Sequence, residues 1–314
     1  MPAEARLVGP YERLVLLKAV LMSGNPPIEA LAALALQAGE RRLAVGASIT
    51  YSGSHWEHAF VVVHGRVGVH QDGQLLYSAG PMEAFGLLEV LARDAGVVEA
   101  RAESETLVLQ LSATTLLSVL EDHFVMTLDM IRALARLLLA TPSWLVDTVD
   151  RRRLAVPSVV SMENLDLIDR INLLRASDVF ARTRLDSLAE LATDSDEFRV
   201  DAGAVLWREG EPSSWLVVVL DGRIASASTL GLRFAWGPGT IPGMADAFAA
   251  APRWHDAIAE TPVTGLRLSA ERFFDALEDD FEMATDVLTA LAAQARQQQQ
   301  ALVGSPPPGL DTQD

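Results

Sequence analysis

The 314-residue sequence contains no cysteine. This absence excludes disulfide bonds, catalysis by a thiolate and metal sites that need cysteine ligands. Positive charge is also scarce, because 25 lysines and arginines stand against 42 aspartates and glutamates and give a formal net charge of −17. A protein that neutralises phosphates needs clustered basic residues. We therefore expect no DNA partner, and we expect a cytoplasmic location, which the lack of cysteine fits.

Long apolar runs and a secretory leader are missing as well. The best candidate for a membrane span, Leu14–Met22, is interrupted by Lys18 and is shorter than the roughly 18 apolar residues that a spanning helix needs. The N-terminus has no basic segment that leads into an uninterrupted apolar stretch with a cleavage site. We expect neither a signal peptide nor insertion into a membrane.

Catalytic motifs are also lacking. The sequence has no Ser-x-x-Lys, no G-x-S-x-G, no P-loop lysine pattern and no paired-carboxylate motif. His55 and His58 lie close together, but their spacing is a weak signal for a metal site, and we expect an exposed turn between strands there. The prediction is a protein that is not an enzyme, with no metal and no certain cofactor.

The residues that are present form a repeat. Half of the sequence is hydrophobic, which is enough to build a core in each of two domains. Segments match at a constant separation of 157 residues: His64–Val67 with Asp221–Ile224, Gly86 with Gly243, and Leu120–Phe124 with Leu277–Phe281. A separation that is constant over most of a domain indicates a duplication. We place the first domain at residues 1–150, the second at 151–303 and a disordered tail at 304–314.

Both copies predict the same order of elements. Two lead-in helices come first, then short strands separated by glycine turns, and then two further helices. The lead-in helices are predicted at Tyr11–Met22 and Pro27–Gln37, and again at Asn164–Leu174 and Thr183–Ala192. Ser112 and Ser269 are predicted to cap the next helix of each copy. The run Arg151–Arg153 is interpreted as part of a solvated linker, with a docking patch for an acidic surface as the alternative.

Three segments carry a resemblance to a known family. Gly203–Gly210 resembles the glycine-bounded turn of the cyclic-nucleotide-binding domain, Trp215–Arg223 resembles its hairpin, and Phe85–Gly86 resembles the start of its phosphate-binding cassette. This domain is the effector fold of catabolite activator protein and of protein kinase A regulatory subunits. The resemblance implies an α+β fold, mainly β, with two tandem jelly-roll barrels that are each flanked by helices.

In that family the cassette holds a cyclic nucleotide through four groups. A short helix that starts at a glycine directs backbone N–H groups at the cyclic phosphate. An arginine pairs with the phosphate oxygens, a glutamate accepts a hydrogen bond from the ribose 2′-hydroxyl, and a threonine or serine adds one more bond. The residues of this chain that stand at these four positions decide what each copy is expected to bind.

The first cassette departs from this pattern. Gly86 is kept, but Leu87 stands where the resemblance implies the glutamate, and Gly96 stands where it implies the arginine. Glu99 falls near the hydroxyl position and would repel a phosphate. A phosphate buried without a counter-charge is costly. We expect this site to be degenerate.

The second cassette keeps more of the pattern. Gly243 and Arg253 match the family, whereas Met244 replaces the glutamate and Asp256 replaces the threonine or serine. Our preferred interpretation is an ion pair between Arg253 and Asp256. Binding of cyclic AMP or cyclic GMP through Gly243, Met244, Arg253 and Asp256 is the alternative, and another anionic ligand is a third, with Trp254 and His255 shaping a non-standard pocket.

These residues leave three functions open. The first is a non-catalytic signalling protein that acts through a protein partner and has weak or lost nucleotide binding. The second is a regulator that responds to cyclic AMP or cyclic GMP through the second domain. The third is a structural or cargo component of a larger assembly, and a homo-oligomer is left open. The 14 proline-rich residues after Gln300 offer no helix-turn-helix, which again indicates that DNA is not the partner.

Overall fold

The computed structural model describes residues 8–21, 26–50, 56–71, 73–93, 98–140, 165–177 and 179–304. Helices contain 43% and strands 29% of the described residues, which confirms a mixed α+β protein. The chain divides into unit 1, Met1–Met130 with Ala292–Asp314, and unit 2, Ile131–Leu291. The linker run Arg151–Arg153 and the tail beyond Gly304 lie outside the described residues. The domain boundaries given above stay predictions.

The first repeat begins with helices α1 (Pro10–Leu21) and α2 (Ile28–Gln37). The strands that the structure describes next are β1 (Gly39–Leu43), β2 (Ser48–Thr50), β3 (His58–His64), β4 (Val67–Gln71), β5 (Gln74–Ala79), β6 (Ala84–Phe85), β7 (Val98–Ala102) and β8 (Thr106–Ser112). The short helix α3 (Leu87–Ala92) lies between β6 and β7. Helices α4 (Ala113–Asp122) and α5 (Phe124–Leu139) complete the repeat.

The second repeat has the same order, except that its described residues contain no strand corresponding to β6. Its lead-in helices are α6 (Leu167–Arg175) and α7 (Leu185–Thr193). Its strands are β9 (Asp196–Val200), β10 (Val205–Trp207), β11 (Trp215–Asp221), β12 (Ile224–Ala227), β13 (Arg233–Trp236), β14 (Asp256–Ala259) and β15 (Val263–Ser269). Helix α8 (Met244–Ala249) precedes β14, and α9 (Ala270–Asp279) and α10 (Phe281–Gly304) follow β15. The lead-in helices are confirmed in both copies, close to their predicted bounds.

The described residues of each unit form two antiparallel sheets. In unit 1 the strand orders are β1-β8-β3-β6 and β2-β7-β4-β5, and in unit 2 they are β11-β15-β9 and β10-β14-β12-β13. The core of unit 2 draws on both of its sheets, because buried Val217 and Val263 of one sheet cluster with Trp207, Ile224 and Ala257 of the other. The apolar side chains of alternate strand positions therefore fill the space between two sheets.

The predicted strand–turn–strand motif depends on one glycine in each copy. Gly65 and Gly222 have φ values of 91° and 95°, a conformation that side chains with a Cβ rarely adopt. A Cβ on Gly222 would lie 2.2 Å from the carbonyl oxygen of Pro262, and one on Gly65 would lie 2.4 Å from that of Glu105. These positions need glycine for two reasons, the backbone angle and the close approach of another strand.

The two predicted helix caps differ. The Ser112 side chain accepts a hydrogen bond from the Thr115 N–H at 3.0 Å, as expected of an N-cap. Ser269 occupies the equivalent position before α9, but its side chain makes no capping bond. The predicted cap is confirmed for Ser112. Ser269 is at the predicted N-cap position, but its side chain does not cap the helix.

An arginine ties the lead-in helices to the first strand in each unit. Arg13 donates to the carbonyl oxygens of Ala35 and Ala38 and to the Glu40 carboxylate, at 3.2, 2.7 and 2.7 Å. Arg170 makes the equivalent bonds, to Ala192, Ser195 and Glu197. The duplication thus extends to individual hydrogen bonds. Over the described residues, no helix combines the length and the apolar character that crossing a membrane requires.

Candidate ligand-binding cassettes

Each cassette helix starts at a left-handed glycine. Gly86 precedes α3 with φ 79°, and Gly243 precedes α8 with φ 84°. A Cβ on Gly86 would lie 2.6 Å from the Trp56 ring, and one on Gly243 would lie 2.2 Å from Arg253 Nη1. Leu87 and Met244, the first residues of the two helices, are half-buried. In both units, therefore, a protein side chain fills the space directly beside the cassette glycine.

The Arg253 side chain is turned into the interior of unit 2, where none of it is exposed. Its Nη1 lies 3.2 Å from the carbonyl oxygen of Gly243 and 3.5 Å from Asp246 Oδ2, and its Nη2 donates to the carbonyl oxygen of Trp215. The guanidinium carbon sits 4.1 Å from the centre of the Trp207 ring. The one arginine that matches the family's phosphate ligand is thus already bound by the protein.

Asp246, in the middle of α8, is the acidic partner of Arg253 and is only 1% exposed. Burial raises its pKa from 3.8 to about 7, against the charge of Arg253, which lowers it. Burial also lowers the pKa of Arg253, while Asp246 raises it. The sequence interpretation missed Asp246, although Glu89 at the matching position of the first repeat was a usable signal.

The predicted ion pair between Arg253 and Asp256 is wrong. Asp256 Oδ1 accepts a hydrogen bond from the Glu209 N–H at 2.8 Å, and Oδ2 pairs with Arg208 at 3.1 Å. The Glu209 N–H, and after it Arg208, lower the pKa of Asp256 below its usual value. Asp256 opens strand β14 with its side chain partly exposed, whereas Arg253 points into the core, so the two do not meet.

His255 lies in a cluster of aromatic side chains that come from strands β10 and β13 and from the segment just before β14. Its ring is fully buried, and Nδ1 lies 2.9 Å from the carbonyl oxygen of Asp256. The surrounding ring centres are 4.7 to 5.8 Å away and belong to Trp207, Phe234, Trp236 and Trp254. Burial lowers the pKa of His255 to about 4, so the ring is neutral at pH 7. The His255 ring is thus enclosed by protein side chains.

In unit 1 the cassette carries a buried acid. Glu89 on α3 is 2% exposed, and burial raises its pKa, while its own backbone N–H and Arg296 on α10 lower it. Tyr77 lies next to it, and burial together with the Glu89 charge raises the pKa of the phenol. This pair was not predicted either. A buried carboxylate at this place disfavours an anionic ligand.

The remaining predicted residues of unit 1 are placed as follows. Gly96 lies outside the described residues, as does His55. Glu99 accepts hydrogen bonds from Ser48 Oγ at 2.7 Å and from Arg101 Nη2 at 2.8 Å, and these bonds lower its pKa. His58 is the first residue of strand β3 and is half-buried, so the prediction of an exposed turn there is wrong, because the residue pairs with Ser112 of β8 in the sheet.

A groove of about 480 Å³ lies on the sheet of unit 2 that contains β12, β13 and β14. Its charged lining residues include Arg223 and Glu260, which pair with each other at 2.7 Å. Arg253 does not line this groove. In the part of the chain that the structure describes, no three histidine, aspartate or glutamate side chains come together as a metal site would require.

Comparison with known proteins decides the family. The sequence model of the cyclic nucleotide-binding domain matches residues 40–123 and again residues 197–280. The chain belongs to the cyclic nucleotide-binding domain family. The two matches confirm the tandem arrangement of jelly-roll type domains predicted from the repeat. Each match contains one of the cassettes described above, and no curated protein sequence matches the chain significantly.

Solved structures similar to the chain include two protein kinase A regulatory proteins. The regulatory domain of Toxoplasma gondii PKA with cAMP is 14% identical, with a TM-score of 0.36, over 94% of this chain and 99% of that one. The regulatory subunit of a cAMP-independent protein kinase A from Trypanosoma brucei is 17% identical, with a TM-score of 0.36, over 95% of both chains.

A bacterial structure is similar to part of the chain. The N-terminal domain of a transcriptional regulator from Streptomyces coelicolor A3(2) is 29% identical, with a TM-score of 0.38, over 41% of this chain and 96% of that one. The family assignment rests on the two matches of the family model, and the binding properties of this chain are argued from its own residues.

Proposed function

We propose that this protein is a non-catalytic regulator whose two cyclic nucleotide-binding domains act mainly through contact with a protein partner, with weak or lost nucleotide binding. The observation that carries the proposal is the state of Arg253. Its guanidinium is buried, is paired with Asp246 and donates to two carbonyl oxygens. The arginine that would bind a cyclic phosphate is therefore already bound by other groups of the protein.

A cyclic nucleotide would have to draw Arg253 away from these partners and leave Asp246 alone in the interior. Above the pKa of about 7 of Asp246, where the carboxylate stays charged, removing one partner of a buried ion pair costs about 3–5 kcal/mol. Because each 1.4 kcal/mol changes Kd tenfold, this cost lowers the affinity by about 100-fold to 4,000-fold. A nucleotide that entered the cluster of His255 and four larger aromatic rings would add a steric cost, since core side chains have no free volume into which to retreat.

The first cassette supports the same proposal by a different route. Leu87 offers no acceptor for a ribose hydroxyl, and Glu89 places a buried acid in the cassette helix. A cyclic phosphate near Glu89 would be repelled unless the carboxyl takes up a proton. Neither cassette therefore presents, among the described residues, a free cation with a free acceptor, which is what cyclic-nucleotide binding requires.

The proposal is tested by thermal unfolding and calorimetry of the full chain with 1 mM cyclic AMP or cyclic GMP. A ligand at 100 times its Kd would stabilise the fold by about 2.7 kcal/mol, and we expect no measurable shift in Tm and no heat of binding. Arg253→Met and Arg208→Met serve as a matched pair of variants, one at the buried arginine and one at an exposed arginine.

The retention of Gly243 and Arg253 favours a second candidate, a regulator that senses cyclic AMP or cyclic GMP through the second domain. A Tm shift that disappears in Arg253→Met and persists in Arg208→Met would establish this candidate and overturn the proposal. A shift that is the same in both variants would place the ligand elsewhere and would also contradict a role for the cassette.

A further inference from the structure

The lead-in helices of unit 1 expose an apolar surface. Tyr11 is 80% exposed, Val15 44% and Ile28 66%. They line a groove of about 500 Å³ between α1 and α2, and Lys18 is the one charged residue in its lining. Large apolar side chains on a protein surface that cluster in one groove mark an interaction site rather than chance exposure.

The exposed residues of α1 follow an order that is complementary to itself. After Pro10, which is the first residue of the helix, they are Tyr11, Glu12, Val15, Lys18 and Ala19. Residues three, four and seven apart share one helix face, so all five lie on or beside the same stripe. Val15 is the midpoint. A large apolar residue and an acid stand on one side of it, and a base and a small residue stand on the other.

We propose that α1 packs antiparallel against α1 of a second copy of this chain, around a twofold axis near Val15. In that arrangement Glu12 of each copy faces Lys18 of the other, and Tyr11 packs over Ala19. A twofold interface must be complementary to itself, and this sequence order satisfies the condition. Within the part of the chain that the structure describes, neither Glu12 nor Lys18 forms an ion pair, so both charges are available.

The second repeat carries the same order at the matching positions of α6: Ile168, Asp169, Asn172, Arg175 and Ala176. Ile168 is 67% exposed, and Leu185, which matches Ile28, is 57% exposed. Here the charged residues are engaged locally, because Asp169 belongs to the N-terminal cap of α6 and Arg175 donates to the carbonyl oxygen of Thr183. The first repeat, with free charges and an apolar midpoint, therefore provides the interface.

Glu12 and Lys18 also stabilise their own helix, and the experiment must distinguish this effect from an interface between two copies. An acid in the first turn and a base in the last turn stabilise a helix through its dipole. Helix-dipole effects make the doubly reversed variant, Glu12→Lys with Lys18→Glu, the least stable of all. An antiparallel interface makes the same double variant complementary again.

Sedimentation equilibrium of the full chain, from about 5 to about 500 μM, measures the dimer, which we expect to be weak because the patch is small. Each single reversal, Glu12→Lys or Lys18→Glu, replaces two attractive pairs by two repulsive ones and should raise Kd by about tenfold or more. The double reversal should return Kd to within about threefold of the original value. Asp122→Lys, at the exposed end of α4, is the control and should leave Kd unchanged.

Zero-length carbodiimide cross-linking provides a second readout, because Lys18 is the single lysine of the chain. We expect a covalent dimer whose cross-linked peptides join Lys18 to Glu12. A chain that stays monomeric at every concentration overturns the proposal. A dimer whose Kd is unchanged by the single reversals also overturns the proposal. So does a double variant whose Kd does not return towards that of the original chain.

Discussion

At the scale of single residues, the decisive group is Arg253, whose charge is neutralised inside unit 2. The cost of burying this guanidinium is met by Asp246, two carbonyl oxygens and the face of Trp207. Buried pairs of this kind stabilise little in themselves but are expensive to break, because the remaining charge has no water around it. The pair therefore holds the cassette helix in one place.

At about pH 9, above the pKa of about 7 of Asp246, Arg253→Met should destabilise the protein by about 3 kcal/mol, because it leaves Asp246 buried without a counter-charge. Replacing both members, Arg253→Met with Asp246→Leu, should recover most of that loss, since two apolar side chains of similar size need no partners. Arg208→Met breaks an exposed pair and should cost less than about 1 kcal/mol. Urea denaturation of the variants measures all three. A double variant as unstable as Arg253→Met would contradict the importance of the pair.

The sequence predicted Arg253 as a cassette residue but not its partner. Because Asp256 is closer to Arg253 in the chain, the sequence favours Asp256 as the partner. In the structure Arg253 lies in the turn between α8 and β14, and its ion pair is with Asp246 of α8. A side chain as long as arginine reaches groups on a neighbouring element, and its direction depends on packing that a sequence pattern does not contain. Glu89, which matches Asp246 in the other repeat, was the one usable hint.

At the scale of elements, the glycine turn between β11 and β12 and the one between β9 and β10 allow the cost of backbone strain to be measured separately from that of steric clash. Gly222→Ala places a Cβ 2.2 Å from the Pro262 oxygen at φ 95°, whereas Gly203→Ala at φ 86° meets nothing within 4 Å. We expect Gly203→Ala to cost about 1 kcal/mol of strain. Gly222→Ala adds a clash with rigid backbone and should cost at least about 3 kcal/mol in urea denaturation. Equal losses would show that the φ angle alone decides.

Most of the elements could be predicted because both copies carry the same local signals. Glycine turns and helical apolar spacing placed the lead-in helices and the central hairpin near their observed positions. The start of β3 at His58 and the missing bond from Ser269 could not be predicted, because strand pairing and hydroxyl orientation depend on tertiary neighbours. His58, for example, is strand because it pairs with Ser112 across the sheet.

At the scale of the whole molecule, two buried groups of unit 2 act oppositely on stability as the pH changes. The pKa of Asp246 is raised on folding from 3.8 to about 7, so the folded state binds more protons between these values and stability falls as pH rises through this window. The pKa of His255 is lowered from 6.5 to about 4, so the unfolded state binds more protons and stability rises with pH up to about 6.5.

The two slopes oppose each other between about pH 4 and 6.5, so the free energy of unfolding of the native chain should vary little there on their account and fall towards pH 7. Asp246→Asn removes the contribution to stability that falls as pH rises, so the stability of this variant should rise with pH across this range. His255→Phe removes the rising component, and its stability should fall from about pH 4 to pH 7. Urea denaturation at half-unit steps of pH measures each slope relative to the native chain. Parallel curves for the native chain and both variants would mean that neither group changes its pKa on folding. The burial of Asp246 beside Arg253 would then not carry the electrostatic cost on which the proposed loss of nucleotide binding depends.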